Sequence, residues 1–331
     1  MAKLIPIVVA AAALILGLFY FINRQAQSTK PTLPSKTYKI GIILTASSLK
    51  AGVEGLESEM SQLGYKEGTN ITYLSTNIDS NPDRAIQTVK DDLSQSVDLF
   101  VTIGNLAAKN TASTVGSKNT PIVFIASDPL SLKIIQSTQN PGGNATGIDT
   151  AQSQTAGKRL ALLKEIAPKV SRVLIFYNNA SSTGLDELRT TAKSLNISLV
   201  EKKVVNVDDL DAQLKNLNIS SFDAIYRTAD SMISPRFEQL IAISLKNKYP
   251  YSGTIVTDVE KGGLMSYGAN FTDIGKQSAH LVDKILKGGS PSSIPVEQPK
   301  EPEFTVNLTT ASLMGLNIPD NILRRVNRII R

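Results

Sequence analysis

The chain has 331 residues, of which 41% are hydrophobic and 19% charged, enough to bury one large core or two modest ones and too apolar for a disordered polymer. Its formal net charge of +6 includes Arg324, Arg325, Arg328 and Arg331 at the C-terminus, a basic stretch read as a solvated face, so no nucleic-acid partner is expected. The chain has no cysteine and a single histidine, His280, which excludes disulfides, thiolate metal sites, histidine triads and histidine-built zinc centres; no metal or other cofactor is expected.

Residues 4–22, "LIPIVVAAAALILGLFYFI", form an uncharged run of nineteen residues. As a helix it spans about 28 Å, close to the roughly 30 Å hydrocarbon core of a bilayer. A cleavable signal ends in small residues, whereas here Ala10 to Ala13 lie mid-segment and Leu18, Phe19, Tyr20 and Phe21 close it. An uncleaved N-terminal transmembrane helix is therefore expected, with cleavage and secretion as the alternative. No cysteine follows to carry a lipid. The polar segment "NRQAQSTKPTLPSK" reads as a tether.

From residue 37, apolar runs of strand length alternate with longer amphipathic stretches: "YKIGIIL", "NITYLS", "VDLFVTIG", "PIVFIA", then "SRVLIFY", "ISLVEKKVV", "FDAIYRT", "PYSGTIV" and "GLMSYG". Such alternation predicts parallel βαβ units. Between the first two runs, Val53, Leu56, Met60 and Leu63 recur at helical spacing before Gly64; after the second, Asn81-Pro82 opens a helix with Ile86, Val89 and Leu93 on one face. About halfway, "NPGGNATGID" interrupts the alternation, and the βα pattern then resumes. This predicts two doubly wound α/β lobes joined by short connectors.

The strands end alike. "GIIL" runs into Thr45, Ser47 and Ser48; "FVTIG" into Asn105; "IVFIA" into Ser127 and Asp128; "VLIFY" into Asn178, Asn179, Ser181, Ser182 and Thr183; "AIY" into Arg227, Thr228, Asp230 and Ser231. In open α/β sheets the carboxyl ends of strands converge on the ligand crevice, so these groups are candidates for one site. Serine, threonine, asparagine and aspartate are also the preferred helix N-caps, and capping competes for any single one of them. It accounts for one residue per strand end, not for the whole of 178–183 or 227–231.

The ordered set "LGYKEGTNITY", "TPIVFIASDPL", "NPGGNATGI", "VLIFYNNASS", "DAIYRTADS", "GGLMSYGANFTDIGKQSAHLVDKILKGGSPSSIPVE" and "VNLTTASLMGLNIP" resembles the substrate-binding proteins of ABC transporters, over nearly the whole chain after residue 37. Characterised members of that family include binders of aromatic amino acids, tryptophan especially. The resemblance implies a type I periplasmic-binding-protein fold that closes around a small solute, with three hinge crossings. It implies residues 1–36 as anchor and linker, 37–147 and 258–290 as one lobe, and 148–257 and 291–331 as the other. It implies an extracytoplasmic protein held at the membrane through residues 4–22, with an ABC permease and its ATPase subunits as partners, delivering a solute that is an amino acid by family default. A membrane-tethered sensor with the same lobes is the alternative function.

By position, Asp128 and Asp230 match the family's recurring aspartates, and Asn178 to Thr183 match its polar loop before a helix. Amides and hydroxyls at Ser181, Ser182 and Thr183 suit a carboxylate, and Asp230 or Asp128 an ammonium. Relatives carry an apolar residue and then Pro-Thr-Asp-Asn where this chain has Arg227, Thr228, Ala229, Asp230 and Ser231. Arg227 either reaches an anionic group in the cleft or forms a surface ion pair. Thr257 and Asp258 stand where the family usually carries Ser-Asp, which makes them candidates for the cleft. An aromatic solute would have Tyr177, Tyr226 or Phe271 to stack on. No nucleophile elbow and no phosphate-binding loop occurs, so no catalysis is expected, and a paired acid and base at Asp128 and Asp230 is the lesser reading.

Overall fold

The structure, a computed structural model, describes residues 36–178, 184–299 and 302–331. The expected membrane segment at 4–22 lies outside these residues; among the described residues no helix is long and apolar enough to cross a membrane.

The first sheet has the order β2-β1-β3-β4-β5, with β1 Tyr38–Leu44, β2 Ile71–Asn77, β3 Leu99–Ile103, β4 Ile122–Ala126 and β5 Ala145–Asp149, all parallel. Strands β3 and β4 are buried along their whole length, because helices cover both faces. Alternate residues serve the two faces. Ile40, Ile42, Val101, Ile103, Val123 and Ile125 pack towards helices Lys50–Gln62 and Phe271–Leu286. Ile43, Phe100, Ile122 and Phe124 pack towards Pro82–Ser94 and Asn105–Val115. The expected Asn-Pro helix start holds: Asn81 Oδ1 accepts the Arg84 N–H at 3.0 Å, and Pro82 begins the helix.

The second sheet has the order β12-β11-β10-β9-β8-β6-β7, built from β6 Arg172–Tyr177, β7 Ser198–Lys203, β8 Ala224–Tyr226, β9 Tyr251–Gly253, β10 Met265–Gly268, β11 Glu303–Asn307 and β12 Arg328–Ile330. It is mixed, not wholly parallel as expected: β10 and β11 run antiparallel. The connection between those two strands leaves the sheet to build part of the first lobe, so it re-enters without the crossover geometry that keeps successive strands parallel.

The chain passes between the two sheets at 149–152, 268–271 and 297–303. These passages bear on the lobe limits implied by the resemblance. Residues 265–268, which a boundary at 258 assigns to the first lobe, pair in the second sheet with β9 and β11. Residues 294–297, assigned to the second lobe by a boundary at 291, lie along the first: Thr146 Oγ1 donates to Ile294 O at 2.7 Å, and Asp149 N to Glu297 O at 2.9 Å. Helix Phe271–Leu286 rests directly on Lys50–Gln62. A Cβ on Gly275 would fall 2.2 Å from the Gly52 carbonyl oxygen, and one on Gly55 would fall 2.1 Å from the Thr272 carbonyl oxygen. Glycine is required for that approach.

Candidate functional site

Each sheet has one point where successive strands leave in opposite directions, between β1 and β3 in the first and between β6 and β8 in the second. Loops diverge there and leave a crevice at the carboxyl ends. The two crevices face each other across a cavity of about 50 Å³. Thr45 follows β1, Asn105 follows β3 and Ser127 follows β4 on one side; Arg227, Asp230 and Ser231 follow β8 on the other, with Thr254 and Ile255 after β9. Leu49, Ile125 and Phe271 supply apolar wall, and Gln152 lies where the chain first crosses.

On the first-lobe side, Asn105 Oδ1 accepts the Ser127 N–H at 2.8 Å and ties two strand ends together. Ser127 Oγ is buried with no hydrogen-bond partner among the described residues. Thr45 Oγ1 accepts the Ala107 N–H at 3.2 Å, a capping role. Ser47 is exposed and off the cavity; Ser48 is buried, its Oγ without a partner among the described residues, and does not line the cavity either. Asp128 lies outside the cavity as well. It has left-handed φ of 55°, its Oδ1 accepts the Ser131 N–H at 3.4 Å, and its own N–H bonds Asp149. It is a turn residue.

On the second-lobe side, Asp230 is 2% exposed. Its Oδ2 accepts the Asn178 N–H at 2.6 Å and its Oδ1 the Met232 N–H at 2.8 Å, so backbone donors from both flanks of the crevice orient the carboxylate. Asn178 turns its own amide to Val204 O and Val205 O and does not line the cavity. Ser181, Ser182 and Thr183 lie outside the described residues.

Arg227 departs from both expectations. It contributes to the cavity wall, but its guanidinium is spent inside the second lobe: Nη1 meets Asp258 Oδ1 at 2.6 Å, and Nη2 donates to Ser234 Oγ at 2.9 Å. An ion pair forms, as one expectation had it, but in the interior, with side-chain exposures of 2% and 0%. Burial acts to lower the Arg227 pKa, yet Asp258, Tyr251 and Asp230 outweigh it and the pKa is raised. Asp258 is correspondingly absent from the cleft. It sits at the start of helix Val256–Glu260, where its Oδ2 accepts the Thr254 and Ile255 N–H groups at 2.8 and 3.1 Å, and its Oδ1 accepts the Tyr251 hydroxyl at 3.2 Å. Burial, and then the Asp258 charge, push the Tyr251 hydroxyl well above its usual pKa. Thr257 is half-buried and off the cavity.

Of the three aromatic candidates, Phe271 alone lines the cavity. Tyr226 is buried in the second lobe, donating to Ala156 O, and Tyr177 lies under Arg189. Sequence reading missed Leu49, Gln152, Thr254 and Ile255, whose positions depend on the lobes meeting. It also missed Arg159, which is 1% exposed, 4.3 Å over the Tyr226 ring, and donates to the Arg227 carbonyl at 2.9 Å. Its place at helical spacing from Gln152 was the available signal.

The lobes touch at this site. Ser80 Oγ donates to Ser231 O, Met232 packs against core clusters of both lobes, and Ile255 joins the core of the first.

The family model of ABC transporter substrate binding proteins matches residues 39–330. A tyrosine-binding protein of Clostridioides difficile is 26% identical over 300 residues, covering 89% of this chain and 86% of that protein. A conserved domain protein from Vibrio cholerae is similar in structure at a TM-score of 0.78 and 28% identity, covering 89% of this chain and 100% of that one. The fold is also that of an ABC domain from Streptococcus pneumonia in complex with L-Trp, at a TM-score of 0.78 and 22% identity, covering 89% and 100%. With solute-binding proteins as its relatives and a cavity between the carboxyl ends of two sheets, the chain belongs to the family of ABC transporter substrate binding proteins and is a binding protein, not an enzyme.

Proposed function

We propose that this chain is the extracytoplasmic solute-binding component of an ABC importer and that it takes an aromatic amino acid between its lobes. The observation that carries the reading is the cavity itself: Asp230 is buried in one wall and aimed by two backbone N–H groups, and Phe271 and Ser127 stand among the lining. Two backbone N–H groups fix the direction of the Asp230 carboxylate, and a carboxylate is the group that receives an ammonium. The Phe271 ring, with Leu49, Ile125 and Ile255, offers apolar surface to a side chain. Ser127 and Asn105 are the proposed carboxylate contacts. The relatives that bind tyrosine and tryptophan support the choice of solute class.

The lobes we propose are 36–149 with 270–298, and 150–269 with 302–331. The lobes touch around a cavity of about 50 Å³. A solute therefore enters when the lobes part and is held when they close, and the closed surface is what a permease would recognise. Residues 4–22 would hold the protein at the membrane outside the cytoplasm.

Calorimetry of the full chain in detergent against the proteinogenic amino acids tests this. Saturable binding of tyrosine, tryptophan or phenylalanine is expected, weakened about a hundredfold or more in Asp230→Asn, because a desolvated charge pair loses one partner. Saturation by a non-zwitterionic solute alone would overturn it.

A further inference from the structure

Arg227 lines the cavity, yet its guanidinium is directed to Asp258 and Ser234. What it does instead is close a loop. Nη2 donates to Ser234 Oγ at 2.9 Å, and that hydroxyl donates to the Asp230 carbonyl at 3.0 Å, so the first and last residues of 227–234 are joined across the loop that carries Asp230. Ser234 N and Ile233 N bond the same carbonyl at 3.1 and 3.2 Å. Nη1 binds Asp258 at 2.6 Å, and Asp258 in turn holds the N–H groups of Thr254 and Ile255.

Those two segments, 228–234 and 254–255, both face the cavity and touch the first lobe. Four residues fix Arg227 from behind: Phe237 lies 5.2 Å under its guanidinium, Ser252 O accepts its N–H at 3.0 Å, Arg159 donates to its carbonyl, and Tyr251 shares Asp258.

We infer that the Arg227–Asp258 ion pair is a positioning device for solute binding, which locks the Asp230 loop to the 254–255 segment and so places the Asp230 carboxylate. This rests on the reading that Asp230 receives the solute ammonium. A guanidinium is the group for the task, since its planar fork serves Asp258 and Ser234 at once. Both charges being buried, neither is expected to exchange its partner for a solute.

The test uses the full chain and three forms: wild type, Ser234→Ala, and the double variant Arg227→Met/Asp258→Asn, which removes both charges together. Two probes are titrated, L-tyrosine and 3-(4-hydroxyphenyl)propionate, which lacks only the ammonium. Both variants are expected to bind tyrosine about tenfold more weakly, the scale of one lost buried hydrogen bond, while the propionate changes less than about twofold. Amide exchange over 228–234 is expected to rise in both variants, with exchange of the first-lobe strands unchanged. Equal weakening of both probes would mark a merely structural pair, and unchanged affinity with unchanged exchange would remove the role altogether; either overturns the inference. Ser234→Ala keeps both charges, so it carries the test if the double variant fails to fold. Should the wild type bind neither probe, the solute reading falls, and the exchange data alone decide whether the pair holds the loop.

Discussion

Arg227 and Asp258 are both fully desolvated, and each is tolerable only because the other is there. Asp258→Ala is expected to cost about 3–5 kcal/mol, because it strands a buried guanidinium. Arg227→Met/Asp258→Asn should recover most of that loss. Denaturant midpoints of the two forms check this, and equal midpoints would sink it. A second buried carboxylate sits in the first lobe. Asp92 Oδ2 has no hydrogen-bond partner among the described residues and lies against the α-carbon of Gly41. Burial, with Asp91 adding to it, pushes the Asp92 carboxyl up to about 6. The folded chain therefore holds the proton more tightly than the unfolded chain, whose carboxyl titrates near about 3.9. Stability from this group is lost as pH rises between those values and stays lost above them. Asp92→Asn is expected to raise the melting temperature at pH 7.5 and to leave it unchanged at pH 4. A gain of the same size at both would exclude the effect. At this scale the sequence marked Arg227 as unusual but not its partner, which is 31 positions away and brought near only by the pairing of β8 with β9.

Among elements, the strands were legible because a strand covered on both faces must be apolar throughout, as β3 and β4 are. Their polar ends were legible too, since the change from apolar to polar marks where a strand leaves the interior. Which of those polar groups face the cavity was not. Asn105, Ser127 and Asp230 do, while Ser47, Ser48, Asp128, Asn178, Thr257 and Asp258 do not, and the difference lies in side-chain direction and turn geometry at each strand end. The crossing of helices Lys50–Gln62 and Phe271–Leu286 was likewise hidden, because its signal is a set of glycines on two segments far apart in the chain. Gly275→Ala would set a methyl 2.2 Å from the Gly52 carbonyl oxygen. The helices must separate, at an expected cost of about 3 kcal/mol, the upper range for overpacking. Thermal melting checks this, and a variant as stable as wild type would mean that the two helices do not meet as described.

For the whole molecule, Met232, Ile255 and the Ser80–Ser231 hydrogen bond hold the lobes together around the cavity. Small-angle scattering is expected to show a larger radius of gyration without solute than at saturation, and an unchanged envelope would count against closure. The sequence by itself determined the α/β class, the presence of two sets of βα units and the polar character of their strand ends, because periodicity and the apolar-to-polar switch are local consequences of burial. Tertiary structure alone decided that β11 runs antiparallel to β10, that residues 271–298 return to the first lobe, and that Arg227 turns inward to Asp258. Each of these depends on contacts between segments distant in sequence, whose energies no local pattern records.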